Sequence, residues 1–417
     1  MSAEIINFET WGIAGLATAG VVLRPFGWPE AVWAVFGAAV LVLSGLLPAA
    51  SAWAGVARGA DVYMFLTGMM LLSELARREG LFNFLAAEAV KHAQGSAGRL
   101  FLLVYLVGVL VTAFLSNDAT AVVLTPAVYA ATQAAKVEKP LPYLYLCAFA
   151  ANAASFVLPI SNPANLVVYG RGGLPPLLDW LLVFALPSLA AIVVTYAVLR
   201  FRLRRELVAP IAEPAASPRL TGGGKLVAFG LAATALALLA ASARGADLGA
   251  PTLAAGGATT LLVLGLRRAN PLPLLRGIHW GVLPLVAGLF VLVQALDGAG
   301  VTALLAGWLH LAAQAPVFGA AAGAGVALAS NLVNNLPAGL VAASALHRAA
   351  SPPDLAAAVL IGVDLGPNLS VTGSLATILW LAVLRREGQS VRDRDFLGLG
   401  LAAMPLALVA ALAAVLM

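Results

Sequence analysis

This sequence has few charged residues. Only 10% of its 417 residues are Asp, Glu, Lys or Arg, whereas 61% are hydrophobic, and soluble globular chains are about 25% charged. A chain with so little polar surface cannot cover itself in water, so the lipid bilayer is the solvent that fits it. The composition therefore excludes an ordinary soluble protein.

Cysteine is nearly absent as well. The single residue, Cys147, excludes an internal disulfide and any site built from several thiolates. The sequence contains no HExxH or GxSxG motif and its four histidines show no ligand spacing, so we expect no enzyme, metal site or cofactor. The net charge of +5 is attributed to basic loops on one side of a membrane and not to nucleic acid binding. The acidic N-terminus lacks the basic n-region of a cleavable signal.

Long apolar segments are what the sequence has in abundance. Spanning helices need about 20 apolar residues, and the hydrophobic pattern predicts an all-α polytopic membrane protein with helices near 11–23, 29–47, 61–76, 97–115, 141–170, 177–199, 225–243, 250–266, 277–296, 300–313, 354–384 and 395–416. Segments 117–133 and 316–347 are apolar but interrupted. The stretch 80–96 is predicted to be an amphipathic surface helix, and the polar stretch 200–224 a cytoplasmic linker.

The distribution of Lys and Arg predicts the orientation. If the regions 97–133 and 300–347 are re-entrant hairpins and both termini lie outside, twenty basic residues fall on the cytoplasmic side. Four fall outside, namely Arg58, Arg171, Arg244 and Arg348. This layout predicts two inverted-topology repeats, 1–199 and 225–417, each with a hairpin and a broken helix (141–170 and 354–384), a common design of secondary transporters.

Four polar breaks carry the candidate chemistry. They are Ser116–Thr120, Pro159–Asn165, Ser330–Pro337 and Asp364–Asn368. Backbone freed at membrane depth must face protein or a wet cavity, where it can bind a polar substrate together with amide side chains. The predicted substrate-binding residues are Asn117, Asp118, Asn162, Asn165, Asn331, Asn334, Asn335 and Asn368. The alternative is a purely structural role, in which these side chains only hold kinked helices in place.

Carboxylates inside the membrane are costly and indicate function by default. Asp118 and Asp364 lie within the breaks and are the predicted proton-coupling residues. The alternative is that amide donors or a cation hold either group ionised. Glu74 and Asp297 lie near predicted helix ends and are left out, and Met69 and Met70 are taken as packing residues rather than soft ligands.

The motifs themselves resemble a known family. FLSNDATAVVLTP (114–126), ANAASFVLPISNPANLVVYG (151–170), SNLVNNLPAG (330–339) and DLGPNLSVTGS (364–374) are similar to the ArsB-type arsenite pumps of the ion transporter superfamily. Sodium/proton antiporters of the NhaD type and divalent-anion/sodium symporters are cousins in that superfamily. The hairpin motifs are shared with these cousins, whereas the NPAN and GPNLSVTGS stretches point to the arsenite branch.

The resemblance implies export of arsenite or antimonite from the cytoplasm across the bacterial inner membrane, driven by protons. Some members also work with a soluble ATPase partner. It places the predicted asparagines and Asp118 around a central site, but leaves open whether Asn331 or Asn334 matches Asn117.

The residue chemistry agrees with an uncharged substrate. Arsenite at neutral pH is chiefly a trihydroxide, whose hydroxyls pair with amides, and one cysteine cannot supply a trithiolate site. The absence of a Lys or Arg cluster in the breaks argues against a multiply charged anion. Two rivals remain: a sodium/proton antiporter, since carboxylates and amide oxygens suit a hard cation, and a passive channel, since Asn162-Pro163-Ala164 matches one aquaporin NPA triplet.

Overall fold

The computed structural model describes residues 3–170, 173–212 and 219–416, with side chains from Asn7 onward. Within these ranges every regular element is a helix, which confirms the all-α prediction. The helices of the first half are α1 (Ala3–Leu23), α2 (Glu30–Leu43), α3 (Ala49–Arg58), α4 (Ala60–Arg78), α5 (Leu81–Ala93), α6 (Ala97–Phe114), α7 (Thr125–Ala134), α8 (Leu141–Ala153), α9 (Pro163–Tyr169) and α10 (Leu177–Arg202).

The second half repeats this order of elements. Its helices are α11 (Gly222–Ala243), α12 (Gly249–Arg267), α13 (Pro271–Gly277), α14 (Val282–Gly298), α15 (Val301–Ala312), α16 (Pro316–Val333), α17 (Asn335–Arg348), α18 (Pro353–Leu365), α19 (Leu375–Arg386) and α20 (Asp393–Leu416). Six helices of the described chain are long and apolar enough to cross a membrane, and the bent pair α13–α14 raises this to seven. The protein is therefore a multi-span membrane protein.

Breaks occupy matching places in the two halves. α6 is followed by a break and by a π-helical turn, Ala119–Leu124, that runs into α7, and α16 is followed by a break at Asn334 before α17. α8 and α18 each end in irregular or 3₁₀ backbone before α9 and α19. Matching order is what an inverted repeat requires, but the inverted orientation, the re-entrant path of the hairpins and the division into two repeats stay predictions.

Several boundaries differ from those expected. The helix predicted at 29–47 is shorter, because α2 ends at Leu43 before Gly45, which adopts φ +75°. The separate helix α3, which begins after Pro48, was not predicted. The short helix α13 was also missed, since a proline-rich segment of seven residues has no helical periodicity to read. In the second hairpin region, α15 is a separate helix that packs against α17, and the break lies between α16 and α17.

The amphipathic prediction for 80–96 is confirmed as a helix. α5 buries Phe82, Ala86 and Val90 and exposes Lys91 and His92. Its place at the membrane surface stays a prediction. In the region of the predicted linker, α10 continues to Arg202. The structure describes this region up to residue 212 and again from residue 219, so residues 213–218 lie outside the described residues.

The helices form two layers. The first layer contains α1–α4 and α11–α14, in which α4 packs along α12 and α2 along α14. The second layer contains α6–α10 and α16–α20, in which α6 packs along α8, α16 along α18 and α10 along α20, with α5 and α15 beside it. The layers meet where α4 contacts α9 and where α14 contacts α17. A groove between them can therefore reach the breaks.

Glycines allow the closest helix contacts, as is usual where helices pack in lipid. A Cβ on Gly256 of α12 would lie 2.6 Å from the carbonyl oxygen of Gly68 in α4, and one on Gly323 of α16 would lie 2.6 Å from the carbonyl oxygen of Ala358 in α18. The second contact holds α18, and with it Asp364, against the hairpin α16–α17.

Segments predicted on the same side of the membrane contact each other. Arg267 lies 3.7 Å from Glu79, and the Ile211 N–H donates to the Gly95 carbonyl at 3.0 Å. These four residues belong to the predicted cytoplasmic side. Which side faces the cytoplasm and where the termini lie stay predictions, and Met1, Arg171 and Met417 lie outside the described residues.

Candidate substrate site

The first break is the turn between α6 and the π-helical segment. The chain leaves helical geometry at Leu115, and Ser116 Oγ accepts a hydrogen bond from the Ala119 N–H at 3.2 Å. Asn117 is 3% exposed and its Oδ1 accepts from the Asp118 N–H at 2.9 Å. Ser116 and Asn117 therefore supply partners to a turn that would otherwise leave helix N-terminal donors unpaired.

Asp118 faces a cavity of about 480 Å³ between the two layers. Ser116, Asp118 and Pro163 line its inner part, and the exposed residues Arg77 and Arg386 lie at its mouth. No hydrogen bond or ion pair from the described residues reaches the Asp118 carboxylate. A carboxyl group at the end of a cavity, without a protein partner, is free to bind a solute or to exchange a proton.

The second break is stabilised by its own asparagines. Asn162 caps α9, because its Oδ1 accepts from the Ala164 N–H at 3.0 Å, and its Nδ2 donates to Asp364 Oδ1 at 2.8 Å. Asn165 is fully buried, and its Nδ2 is shared among three carbonyl oxygens of the preceding loop, the nearest being that of Ser155 at 3.0 Å. Both amides hold the unwound backbone in place.

The third break gives Asn331 and Asn334 different roles. Asn334 stands in the break itself with φ +74°, and its Oδ1 accepts from the Leu336 N–H at 3.4 Å to cap α17. Asn331 lies inside the last turn of α16, where it donates to the Gly366 carbonyl at 3.0 Å and accepts from Ser370 Oγ at 2.7 Å. Asn334 therefore caps the helix that follows this break, as Ser116 does after the first break, and Asn331 ties this hairpin to the broken helix.

Asn335 is the first residue of α17. It is 6% exposed and makes no hydrogen bond with any residue that the structure describes. Its amide therefore keeps both donors and its acceptor available, unlike those of Asn331 and Asn334.

The fourth break joins the two halves of the chain. Asp364 ends α18, is 0% exposed and accepts from Asn162, while its Oδ2 has no partner within the described chain. Asn368 accepts from Asn152 Nδ2 at 3.1 Å and donates to the Phe149 carbonyl at 3.2 Å. Three hydrogen bonds, Asn162–Asp364, Asn152–Asn368 and Asn368–Phe149, therefore cross between the halves at the centre of the molecule.

Sequence reasoning missed Asn152. It stands as far beyond Pro140, which precedes α8, as Asp364 stands beyond Pro352, which precedes α18. Its Oδ1, like Asn165 Oδ1 and Asp364 Oδ2, is a buried acceptor without a donor in the described chain. Aligning the two proline-led helices would have found it.

Glu74 lies near a predicted helix end and was not predicted to be a site residue, but it lines the cavity wall. It is 6% exposed and accepts from Arg77 Nε at 2.7 Å and from Arg78 Nε at 2.6 Å. Met69 and Met70, predicted to be packing residues, also line this cavity. The sequence signal that could have identified Glu74 is its spacing from two arginines, which follow it by three and four residues.

The structure brings some of the predicted site residues together and keeps others apart. Of the predicted site residues, Asp118 lines the cavity. None of the predicted asparagines is among the described residues of the cavity lining. Asn162, Asp364 and Asn368 meet at the crossing between the halves, whereas Asn331 and Asn334 bond to the backbone of residues 366–372. The roles of these residues in substrate binding and proton coupling stay predictions.

The sequence is similar to those of known membrane transporters. Residues 19–362 match the CitMHS family, described as citrate transporters. The chain belongs to this family of membrane transporters. It is 30% identical over 343 residues to the arsenical pump membrane protein of Escherichia coli K12, covering 78% of each chain. It is 25% identical over 415 residues to a putative arsenical pump membrane protein of Bacillus subtilis, covering 92% of this chain and 93% of that one.

A solved structure shows the same fold. The YdaH transporter of Alcanivorax borkumensis, described as having an unusual topology, matches with a TM-score of 0.57 over 88% of this chain and 86% of that chain, at 18% identity. At this identity the likeness concerns the fold alone. The resemblance to ArsB-type pumps read from the motifs is thus confirmed by similarity over most of the chain.

Proposed function

We propose that this transporter exports arsenite or antimonite, as the uncharged trihydroxide, from the bacterial cytoplasm in exchange for protons by alternating access. The observation that carries the proposal is the Asp118 carboxylate, which ends a cavity between the layers and has no protein partner. The similarity to arsenical pump membrane proteins supports the substrate class.

The chemistry of the cavity supports a neutral hydroxylated solute. Arg77, Arg276 and Arg386 lie at its mouth, and Ser116 and Asp118 at its inner part supply a hydroxyl and a carboxylate. A hydroxyl of the substrate can donate to Asp118 as readily as a water molecule does. A citrate ion would bring several carboxylates against Asp118 with no cation beside it, which disfavours the substrate that the family description names.

Asp118 and Asp364 are proposed to carry the coupled protons. Asp364 is fully buried with one hydrogen bond, and burying an ionised carboxylate without a counter-charge is costly. A proton on Oδ2 would remove that cost. One proton entering down a 100 mV potential contributes about 2.3 kcal/mol, enough for a modest concentration gradient.

The test is arsenite uptake into everted membrane vesicles energised by a proton gradient. Asp118→Asn and Asp364→Asn are each expected to lose gradient-driven uptake, whereas Asp354→Asn, an exposed carboxylate at the start of α18, is expected to retain it. An uncoupler should abolish uptake by the parent chain. Full gradient-driven uptake by Asp118→Asn would rule Asp118 out as a proton carrier.

A sodium/proton antiporter is the second candidate. The observation that favours it is the set of buried oxygen acceptors without donors, Asn152 Oδ1, Asn165 Oδ1 and Asp364 Oδ2, because hard cations prefer such ligands. Proton release from vesicles on addition of sodium, with no arsenite uptake, would decide for this function. Neither flux is expected to require a soluble ATPase partner in this assay.

A further inference from the structure

The two ends of α4 mark opposite ends of the molecule. Arg58, the last residue of α3, is separated from α4 by Gly59, and Arg77 lies in the last turn of α4. A helix of 19 residues is about 28 Å long. The cavity that leads to Asp118 has its mouth at the Arg77 end. The other end must be closed in this state if access alternates.

An ion pair joins the two layers at that other end. Asp297 lies in the last turn of α14, in the first layer, and Arg348 is the last residue of α17, in the second layer. Arg348 Nη2 donates to Asp297 Oδ1 at 2.7 Å, and Thr302 Oγ1 donates to the same carboxylate. α14 begins at Val282, which lines the cavity together with Arg276 at its mouth, and a helix of 17 residues is about 25 Å long. Asp297 in the last turn of α14 therefore lies toward the end of the molecule opposite the cavity mouth.

The end with the cavity mouth has no such connection. Arg77 and Arg78 both bind Glu74 on their own helix, and Arg267 pairs with Glu79 next to α4. Among the ion pairs of the described residues, Asp297–Arg348 is the one that links the first layer to the second. An ion pair between the layers therefore lies at the end of the molecule away from the mouth of the cavity that leads to Asp118.

We propose that the Asp297–Arg348 ion pair is a latch that holds the outer end closed while the cavity faces the other side, and that it must separate in each transport cycle. Arg348 is the last residue of α17, so separation of the pair removes a polar contact between the hairpin α16–α17 and α14. The latch rests on the proposed function only in assuming that access alternates between the two ends.

The first experiment joins the two positions covalently. A variant carrying both Asp297→Cys and Arg348→Cys is treated with a short bifunctional methanethiosulfonate, and vesicle uptake of arsenite is measured before and after reduction. The buried Cys147 is left in place, and the parent chain receives the same reagent as a control. Uptake is expected to stop on cross-linking and to return with dithiothreitol. Cross-linked protein that transports at the rate of the reduced protein would overturn the latch.

The second experiment needs no transport substrate. Ser73→Cys places a thiol in the cavity wall, and its rate of maleimide labelling in detergent reports how often the cavity is open. Arg348→Gln is expected to slow labelling by about two- to fivefold, the range for a partly exposed ion pair. A variant carrying both Asp297→Arg and Arg348→Asp reverses the charges of the pair and should restore the labelling rate.

The matched control is Arg392→Gln, which removes the exposed ion pair of Arg392 with Asp395 at the start of α20 and should leave labelling unchanged. Equal labelling in Arg348→Gln and the parent chain would overturn the latch. Failure of arsenite uptake by the parent chain, with slowed labelling in Arg348→Gln, would instead overturn the proposed substrate and leave the latch supported.

Discussion

Replacing Asn162 by alanine is expected to remove two interactions at once. The side chain caps α9 through the Ala164 N–H and donates to Asp364. Loss of an asparagine cap costs about 1 kcal/mol, and leaving a buried acceptor without its donor costs about 1–3 kcal/mol. Asn162→Ala should therefore lower the free energy of unfolding by about 2–4 kcal/mol.

The chain offers a closely matched control. Asn270 is also followed by proline and also caps a helix, accepting from the Leu272 N–H at 2.9 Å, but it is exposed and has no partner like Asp364. Asn270→Ala should cost about 1 kcal/mol and leave transport intact. Asn162→Ser keeps a capping oxygen but is too short to reach Asp364, so it isolates the contribution of the crossing between the halves.

The measurement is unfolding of the purified variants in mixed micelles with increasing dodecyl sulfate, alongside vesicle uptake of arsenite. Asn162→Ala should lose both stability and uptake, and Asn162→Ser should lose less stability than Asn162→Ala. Equal destabilisation by Asn162→Ala and Asn270→Ala would refute the reasoning, because it would mean that the hydrogen bond to Asp364 contributes nothing.

Three further predictions concern packing and charge. Gly256→Ala should be strongly destabilising because its Cβ would lie 2.6 Å from the Gly68 carbonyl oxygen, whereas Gly257→Ala, which meets nothing within 4 Å, should be neutral in the same unfolding assay. Glu74→Gln should lower the free energy of unfolding by about 1–3 kcal/mol through loss of charge-assisted hydrogen bonds. Equal stability of Glu74→Gln and the parent chain, at high salt as well, would contradict this. Cys147, at 0% exposure, should react with a permeant maleimide only after denaturation, and rapid reaction in the native protein would contradict its burial.

Much of the fold could be predicted because the bilayer leaves few alternatives. Backbone in lipid must form helices, and spans of about 20 apolar residues are visible in sequence. The same rule could not find α3 or α13, since these helices are short, rich in small residues or proline, and lie between longer ones. Their positions depend on contacts with α14 and α4, which are distant in sequence.

The positions of the breaks were predictable, but the use of their side chains was not. Asparagine and proline clusters mark where helices unwind, and all four predicted breaks occur. Whether an amide faces a cavity or its own backbone depends on a few ångströms of packing. Asn165 and Asn117 have the same chemistry, yet Asn165 binds three carbonyls and Asn117 binds the turn beside the cavity.

This distribution of hydrogen bonds narrows what can contact a substrate. Asn165, Asn331 and Asn368 donate to backbone carbonyls, and an amide already bonded in a buried site gains little by exchanging that partner for a solute. Among the predicted site residues that the structure describes, Asp118 and Asn335 are the ones whose whole polar group makes no side-chain hydrogen bond, one at each hairpin tip. A small solute that both donates and accepts would find both kinds of partner at these two tips, whereas a cation could use only the oxygens of Asp118 and Asn335. The two side chains therefore support the neutral trihydroxide that we propose as the substrate.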